Sequence, residues 1–256
     1  MYRLLARHDS VRERRNVRRH PKYVRPELAA TGPNQVWTWD ITYLKGPVRG
    51  QFYYLYVVMD IYSRLVVGWL LADRECEELG RRLLSTSCRK HCVRAGQLTV
   101  HADRGAPMKS KSVKQLLSDL DVRVSHSRPR VSNDNPYSEA GFKTLKYSPD
   151  FPARFASQSE AESFCQVYFV GYNQGHYHSG IALLTPAQVH YGEATAVLAR
   201  RQATLAAAFE QTPERFGHRC PQVCSLPETV WINRPSLAVS ATESATSMAI
   251  EERSLH

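Results

Sequence analysis

At 256 residues the chain can form one large domain with appendages and is long enough for an enzyme. Its formal charge of +10 and pI of about 9.4 favour polyanionic partners, nucleic acid first, because Lys and Arg neutralise phosphates and release counterions. No apolar run approaches the roughly 18 to 20 residues that span a bilayer, and "MYRLLARHDSVRERR" lacks a signal peptide's apolar core, so an intracellular protein with no membrane partner is expected.

In that compartment the six cysteines read as reduced thiols. Neither Cys88 with Cys92 nor Cys220 with Cys224 has the spacing of a zinc knuckle.

Residues 1–35 are dense in Arg and broken by prolines, and read as a basic arm or linker with little core. Three runs rich in aromatic and β-branched residues follow, "VWTWDITYL" (36–44), "FYYLYVVMD" (52–60) and "RLVVGWLLA" (64–72). Their short connections predict an antiparallel three-strand meander. Leu79, Leu83, Leu84 and Cys88 then recur at helical spacing within 75–93. "QLTVHAD" (97–103) reads as a buried strand, 110–120 as a helix with Ser110 as N-cap, and 122–127 as another strand.

The Pro, Ser, Asn and Asp cluster "RPRVSNDNP" predicts a loop, with Pro136 opening a helix that runs to about Lys146. A further amphipathic helix is expected over 157–174. Beyond about 235 large apolar residues are scarce, and the segment to 256 reads as a disordered tail.

Asp40 is out of place in the first strand by composition. Strand periodicity puts Trp37, Trp39, Ile41 and Tyr43 on one face and Val36, Thr38, Asp40 and Thr42 on the other. Asp103 ends a later strand, and a helix-connected parallel pairing of the two strands would bring the carboxylates together, where they repel. Glu139 lies four positions into the helix that Pro136 opens, after 35 intervening residues. Three carboxylates so placed could converge as oxygen ligands for one or two divalent cations suited to attack at a phosphodiester. Asp60 and Asp134 are the rival acids, read as stabilising the turn before Arg64 and the loop before Pro136. His101 reads as packing against or orienting a neighbour of Asp103. Lys143 and Lys146 share the helix face of Glu139, at i+4 and i+7.

The blocks "NQVWTWDITYL", "YYLYVVMDIYSRLVVGW", "HADRGAPM", "SRPRVSNDNPYSEAGFKTLKY", "YNQGHYHSGIALLTPAQVHYG" and "LPETVWIN" occur in the order seen in one family. Over residues 31–233 the chain resembles insertion-sequence transposases of the retroviral-integrase superfamily, whose catalytic site is two Asp and a Glu. The resemblance implies an α/β, ribonuclease H-like fold: a mixed five-stranded sheet, three strands antiparallel and two more parallel, flanked by helices. It implies a catalytic core over 36–195, a C-terminal extension over 196–234, and Asp40, Asp103 and Glu139 as catalytic ligands of Mg²⁺ or Mn²⁺, as two ions. Lys143, Lys146, Arg104, Arg128 and Arg130 are the expected DNA contacts.

The activity so implied is phosphodiester hydrolysis and strand transfer at transposon ends, in the bacterial cytoplasm and on the nucleoid when DNA is bound. Implied partners are DNA, as transposon ends and target, and further copies of the chain. Family members carry helix-turn-helix segments before the core, and "MYRLLARHD" resembles only the end of one. A separate upstream helix-turn-helix protein is therefore a further expected partner, and a truncated, non-catalytic DNA-binding or regulatory remnant is the alternative reading.

Overall fold

The computed structural model describes residues 23–105, 107–129, 131–217 and 219–235. Most of the expected basic arm and nearly all of the expected tail lie outside these residues. Their centre is a five-stranded sheet in the order β4-β3-β2-β5-β6. It comprises β2 (Val36–Lys45), β3 (Phe52–Asp60), β4 (Val66–Ala72), β5 (Thr99–Ala102) and β6 (Arg123–His126). The first three strands pair antiparallel, whereas β5 pairs parallel to both β2 and β6. The expected meander and parallel pair are both present.

Alternation along the strands decides what each face meets. Trp37, Trp39, Tyr56, Val58, Val100 and Ala102 pack with Leu83, Leu84 and Cys88 of helix α1 (Glu77–Lys90), and with Val113 and Leu117 of α2 (Lys111–Asp119). Gly80 lets α1 come down onto the Trp39 ring, since a Cβ there would lie 2.7 Å from the indole Cζ2. On the opposite face Leu44, Leu55, Val57 and Met59 pack with Leu145 of α3 (Pro136–Lys146) and with Cys165 and Phe169 of α4 (Gln158–Gly175). Burying each large apolar side chain contributes about 1.5–3 kcal/mol, so these two layers supply most of the driving force.

Local signals start the helices where the sequence suggests. Ser110 Oγ accepts from the Val113 N–H and Ser157 Oγ from the Glu160 N–H. Pro136 occupies the first turn of α3, whose N-cap Asn135 makes no side-chain capping bond. Two helices, α5 (Pro186–His190) and α6 (Ala194–Gln211), extend the chain beyond the sheet.

A second sheet carries no clear sequence signal. Strand β1 (Leu28–Ala30) pairs antiparallel with β7 (Val230–Ile232), and Ala30, Val230 and Ile232 are buried with Val36 and Ile61. The end of the arm-like segment thus contributes to the core. Its strands are three residues long, too short to display a period-2 pattern.

Candidate active site

The sheet's topology brings the two aspartates together. The β2–β5 register runs from Val36↔Thr99 to Trp39↔Ala102, so one step further sets Asp40 beside Asp103. Adjacent strands lie about 4.8 Å apart. Asp40 stands where β2 outlasts β5: beyond it the strand continues to Lys45 paired with β3 alone. An acid is tolerated in this strand because one edge of the sheet stops there.

Helix α3 carries the third acid over the same face. Ser138 Oγ donates to Thr38 Oγ1 at 2.9 Å, and Lys146 Nζ donates to Thr42 Oγ1 at 2.6 Å. Thr38 and Thr42 flank Asp40 on its own face of β2, so the helix is fixed to the strand on both sides of the carboxylate. Glu139, next to Ser138, is exposed.

Asp103, Arg104, Ser127, Arg128 and Glu139 line an open cleft of about 350 Å³. Beyond Lys146, a second cleft of about 410 Å³ is lined by Tyr43, Lys45, Lys146 and Phe151.

The electrostatics record this convergence. Burial pushes the Asp40 carboxyl up to about 7; the Ile41 N–H, donated to Oδ1 at 2.8 Å, works against that, and the charges of Asp103, Glu139 and Glu75 add to it. Burial and then the charge of Asp103 raise Glu139 as well. A cluster of oxygen donors whose negative charges obstruct one another suits a hard divalent cation. Among the described residues, no three His, Cys, Asp or Glu side chains are drawn together closely enough to hold a metal ion as they stand.

Asp103 is oriented by a neighbour that sequence reasoning missed. Ser127 Oγ donates to its Oδ1 at 2.6 Å. His101 is fully buried, with Nε2 at 2.8 Å from the Asp134 carbonyl and 3.3 Å from Ser127 Oγ, and Nδ1 at 3.0 Å from Ser125 Oγ. Burial lowers its pKa and the Asp134 carbonyl opposes this, so the neutral ring with its proton on Nε2 satisfies every contact. His101 therefore packs behind Asp103 and bears on it through Ser127.

The rival acids are occupied elsewhere. Asp60 accepts from the Ser63 N–H and Oγ at 2.7 and 2.8 Å, and from the Asn34 N–H at 2.7 Å. These bonds hold the turn before Arg64. Asp134 forms a bidentate pair with Arg128 at 2.9 and 3.0 Å and also accepts the Arg128 N–H. Burial alone would raise its pKa, but these donors and the Asn233 amide hold it down at about 2.

The expected DNA contacts separate in their surroundings. Lys143 is exposed one turn beyond Glu139. Lys146 has its pKa lowered by burial, raised by Asp40 and lowered by Lys45. Arg104 donates through Nε to the Ser127 carbonyl and stacks on the Tyr23 ring at 4.4 Å. Arg128 is taken up by Asp134, and Arg130 lies outside the described residues. Glu75, whose charge acts on Asp40 and which accepts the Tyr43 hydroxyl at 3.2 Å, had no sequence signal.

The order of this sheet, with helices on both faces and acids at the end of its parallel pair, defines a ribonuclease H-like fold of the integrase catalytic-core kind. A chain in the simian T-cell lymphotropic virus intasome, solved in complex with the PP2A regulatory subunit B56 gamma, superposes with a TM-score of 0.52 at 20% identity. The match covers 67% of this chain and 60% of that one. Two family models, both described as integrase core domain, match residues 30–132 and 120–186.

The transposase for insertion sequence element IS904 of Lactococcus lactis is 32% identical over 167 residues, covering 65% of each chain. Transposase InsF for insertion sequence IS3A of Escherichia coli is 32% identical over 163 residues, covering 63% of this chain and 56% of the relative. The chain belongs to the integrase-core superfamily, and these curated relatives are insertion-sequence transposases. It spans less than two thirds of the length of these curated relatives.

Proposed function

We propose that the chain is the catalytic subunit of a DNA transposase, cutting and joining phosphodiesters at transposon ends. The observation that carries this reading is that the Asp40 carboxyl, at the end of the parallel strand pair, is pushed up to about 7 by burial and then by the nearby charges of Asp103 and Glu139. Asp40, Asp103 and Glu139 would hold Mg²⁺ or Mn²⁺, as two ions, which when bound supply Lewis-acid activation of the attacking oxygen and stabilise the leaving one.

The protein's own part is positional. Ser127 keeps one oxygen of Asp103 engaged and so fixes how the other faces the cleft. Arg104 beside Asp103 and Glu139, Lys146 in the second cleft and the exposed Lys143 would hold backbone phosphates. Water attacks first and frees a 3′-hydroxyl, which then attacks a second phosphodiester, with no covalent bond to the protein. Pairing two DNA ends calls for more than one copy of the chain, and an upstream helix-turn-helix protein would supply recognition of the ends.

The test is strand transfer by the full chain with pre-cleaved transposon ends in Mg²⁺ or Mn²⁺. Asp40→Asn, Asp103→Asn and Glu139→Gln are each expected to lower the rate by about 100-fold or more, as loss of a charge-stabilising group does. Wild-type rates from any one of them would remove that residue from the site.

A further inference from the structure

The strand that closes the small sheet lies outside the matched integrase-core residues, which end at 186, yet it touches the segment that carries Glu139 at two points. Asn233 Nδ2 donates to Asp134 Oδ1 at 2.8 Å and to the Pro26 carbonyl at 3.0 Å. Both of its N–H bonds are used, and because both partners are acceptors the amide can face only this way. Tyr137 donates its hydroxyl to the Trp231 carbonyl at 2.9 Å. Asp134 and Tyr137 bracket the start of α3, whose N-cap makes no side-chain bond of its own. Tertiary contacts therefore add to Pro136 in fixing the first turn of this helix.

Asp134 is the junction. Its buried carboxylate accepts four donors, three from Arg128 and one from Asn233, which fill its lone pairs. Its backbone carbonyl accepts from His101, and His101 also lies against Ser127, the donor to Asp103. A continuous chain of contacts thus runs from Asn233 to Asp103, and a second branch runs through the start of α3 to Glu139. Asn233 adopts a left-handed backbone with φ of 56°, which Asn tolerates better than most residues, so its side chain is aimed by the end of the strand itself.

We propose that Asn233 is a positioning residue for the transposase reaction: the Val230–Asn233 segment clamps Asp134 and the first turn of α3, and so sets where Glu139 and Asp103 stand relative to Asp40. This rests on the reading of those carboxylates as catalytic. The same amide also joins Asn233 to Pro26, so Asp134 is tied to the segment before β1 as well as to the end of β7.

The test compares the full-length wild type with Asn233→Gly, which keeps the left-handed backbone and deletes the amide. Amide hydrogen exchange over residues 132–140 is expected to quicken by about tenfold or more, while residues 77–90 stay protected as in the wild type. In strand transfer with pre-cleaved ends, kcat is expected to fall by about tenfold or more, with KM for DNA within about twofold of wild type, as a small misplacement of reacting groups produces. Tyr137→Phe, which removes only the Trp231 bond, is expected to give the same split and stands in if Asn233→Gly fails to fold.

Unchanged exchange over 132–140, or loosened exchange with a wild-type kcat, overturns the clamp while leaving the site reading intact. A fall in kcat matched by an equal loss of DNA binding also overturns it. A wild-type chain that transfers no strands instead fails the site reading, and the positioning role with it.

Discussion

Asp40 shows how one residue can be wrong for its strand and right for its place. Its folded pKa of about 7 lies above the ordinary carboxylate value, so the folded state binds that proton more tightly than the unfolded chain does. The stability this group contributes is fully present below about pH 4 and is lost as pH rises through 7. Asp40→Asn should therefore stabilise the metal-free protein at pH 8. A carboxyl only partly shielded from water warrants about 1–2 kcal/mol. The advantage should shrink as pH falls from 7 towards 4, and thermal melts in a chelator across that range would check it; a deficit at pH 8 would contradict the charge crowding. Strand periodicity exposed Asp40 in the sequence. Ser127, Glu75 and Asn233 carry no such mark, because each matters through a partner far along the chain.

Among the elements, α1 and α3 illustrate different ways of docking on one sheet. Helix α1 approaches so closely that Gly80 meets the Trp39 ring, which is 1% exposed and has no room to turn. Gly80→Ala should cost roughly 1–3 kcal/mol through overpacking, despite the better helix propensity of Ala. Urea unfolding would check this, and a stabilised variant would show that the helix can back away.

Helix α3 adds hydroxyl and amine contacts at Thr38 and Thr42 to the apolar packing of Leu145. Helix α1 was legible from apolar spacing and α3 from Pro136. Strands β1 and β7 were not, since a three-residue strand gains its meaning only from its partner.

Across the whole molecule, acid sensitivity is expected from two buried histidines, His178 and His190, set apart from the carboxylates. Burial lowers His190 to about 4, and burial followed by the charges of His176 and Arg64 lowers His178 to about 4. Both rings are held neutral, so the stability they contribute is present above the unfolded value near 6.5 and lost as pH falls towards 4. This is opposite in sign to Asp40. Urea midpoints should decline between pH 6.5 and 4.5, and His178→Gln with His190→Gln should flatten the decline. A slope unchanged in the double variant would locate the acid lability elsewhere.

The sequence by itself determined the five strands of the main sheet, the helices as far as residue 174, and that Asp40 faces away from the tryptophans. Those properties follow from periodicity and capping, which act within a few residues. Only the tertiary structure decided that Asp40 and Asp103 share one level of the sheet, that α3 is fixed through Thr38 and Thr42, and that Asn233 reaches Asp134. Such pairings depend on strand register and on chain closure over about a hundred residues, where the local pattern carries no distance information.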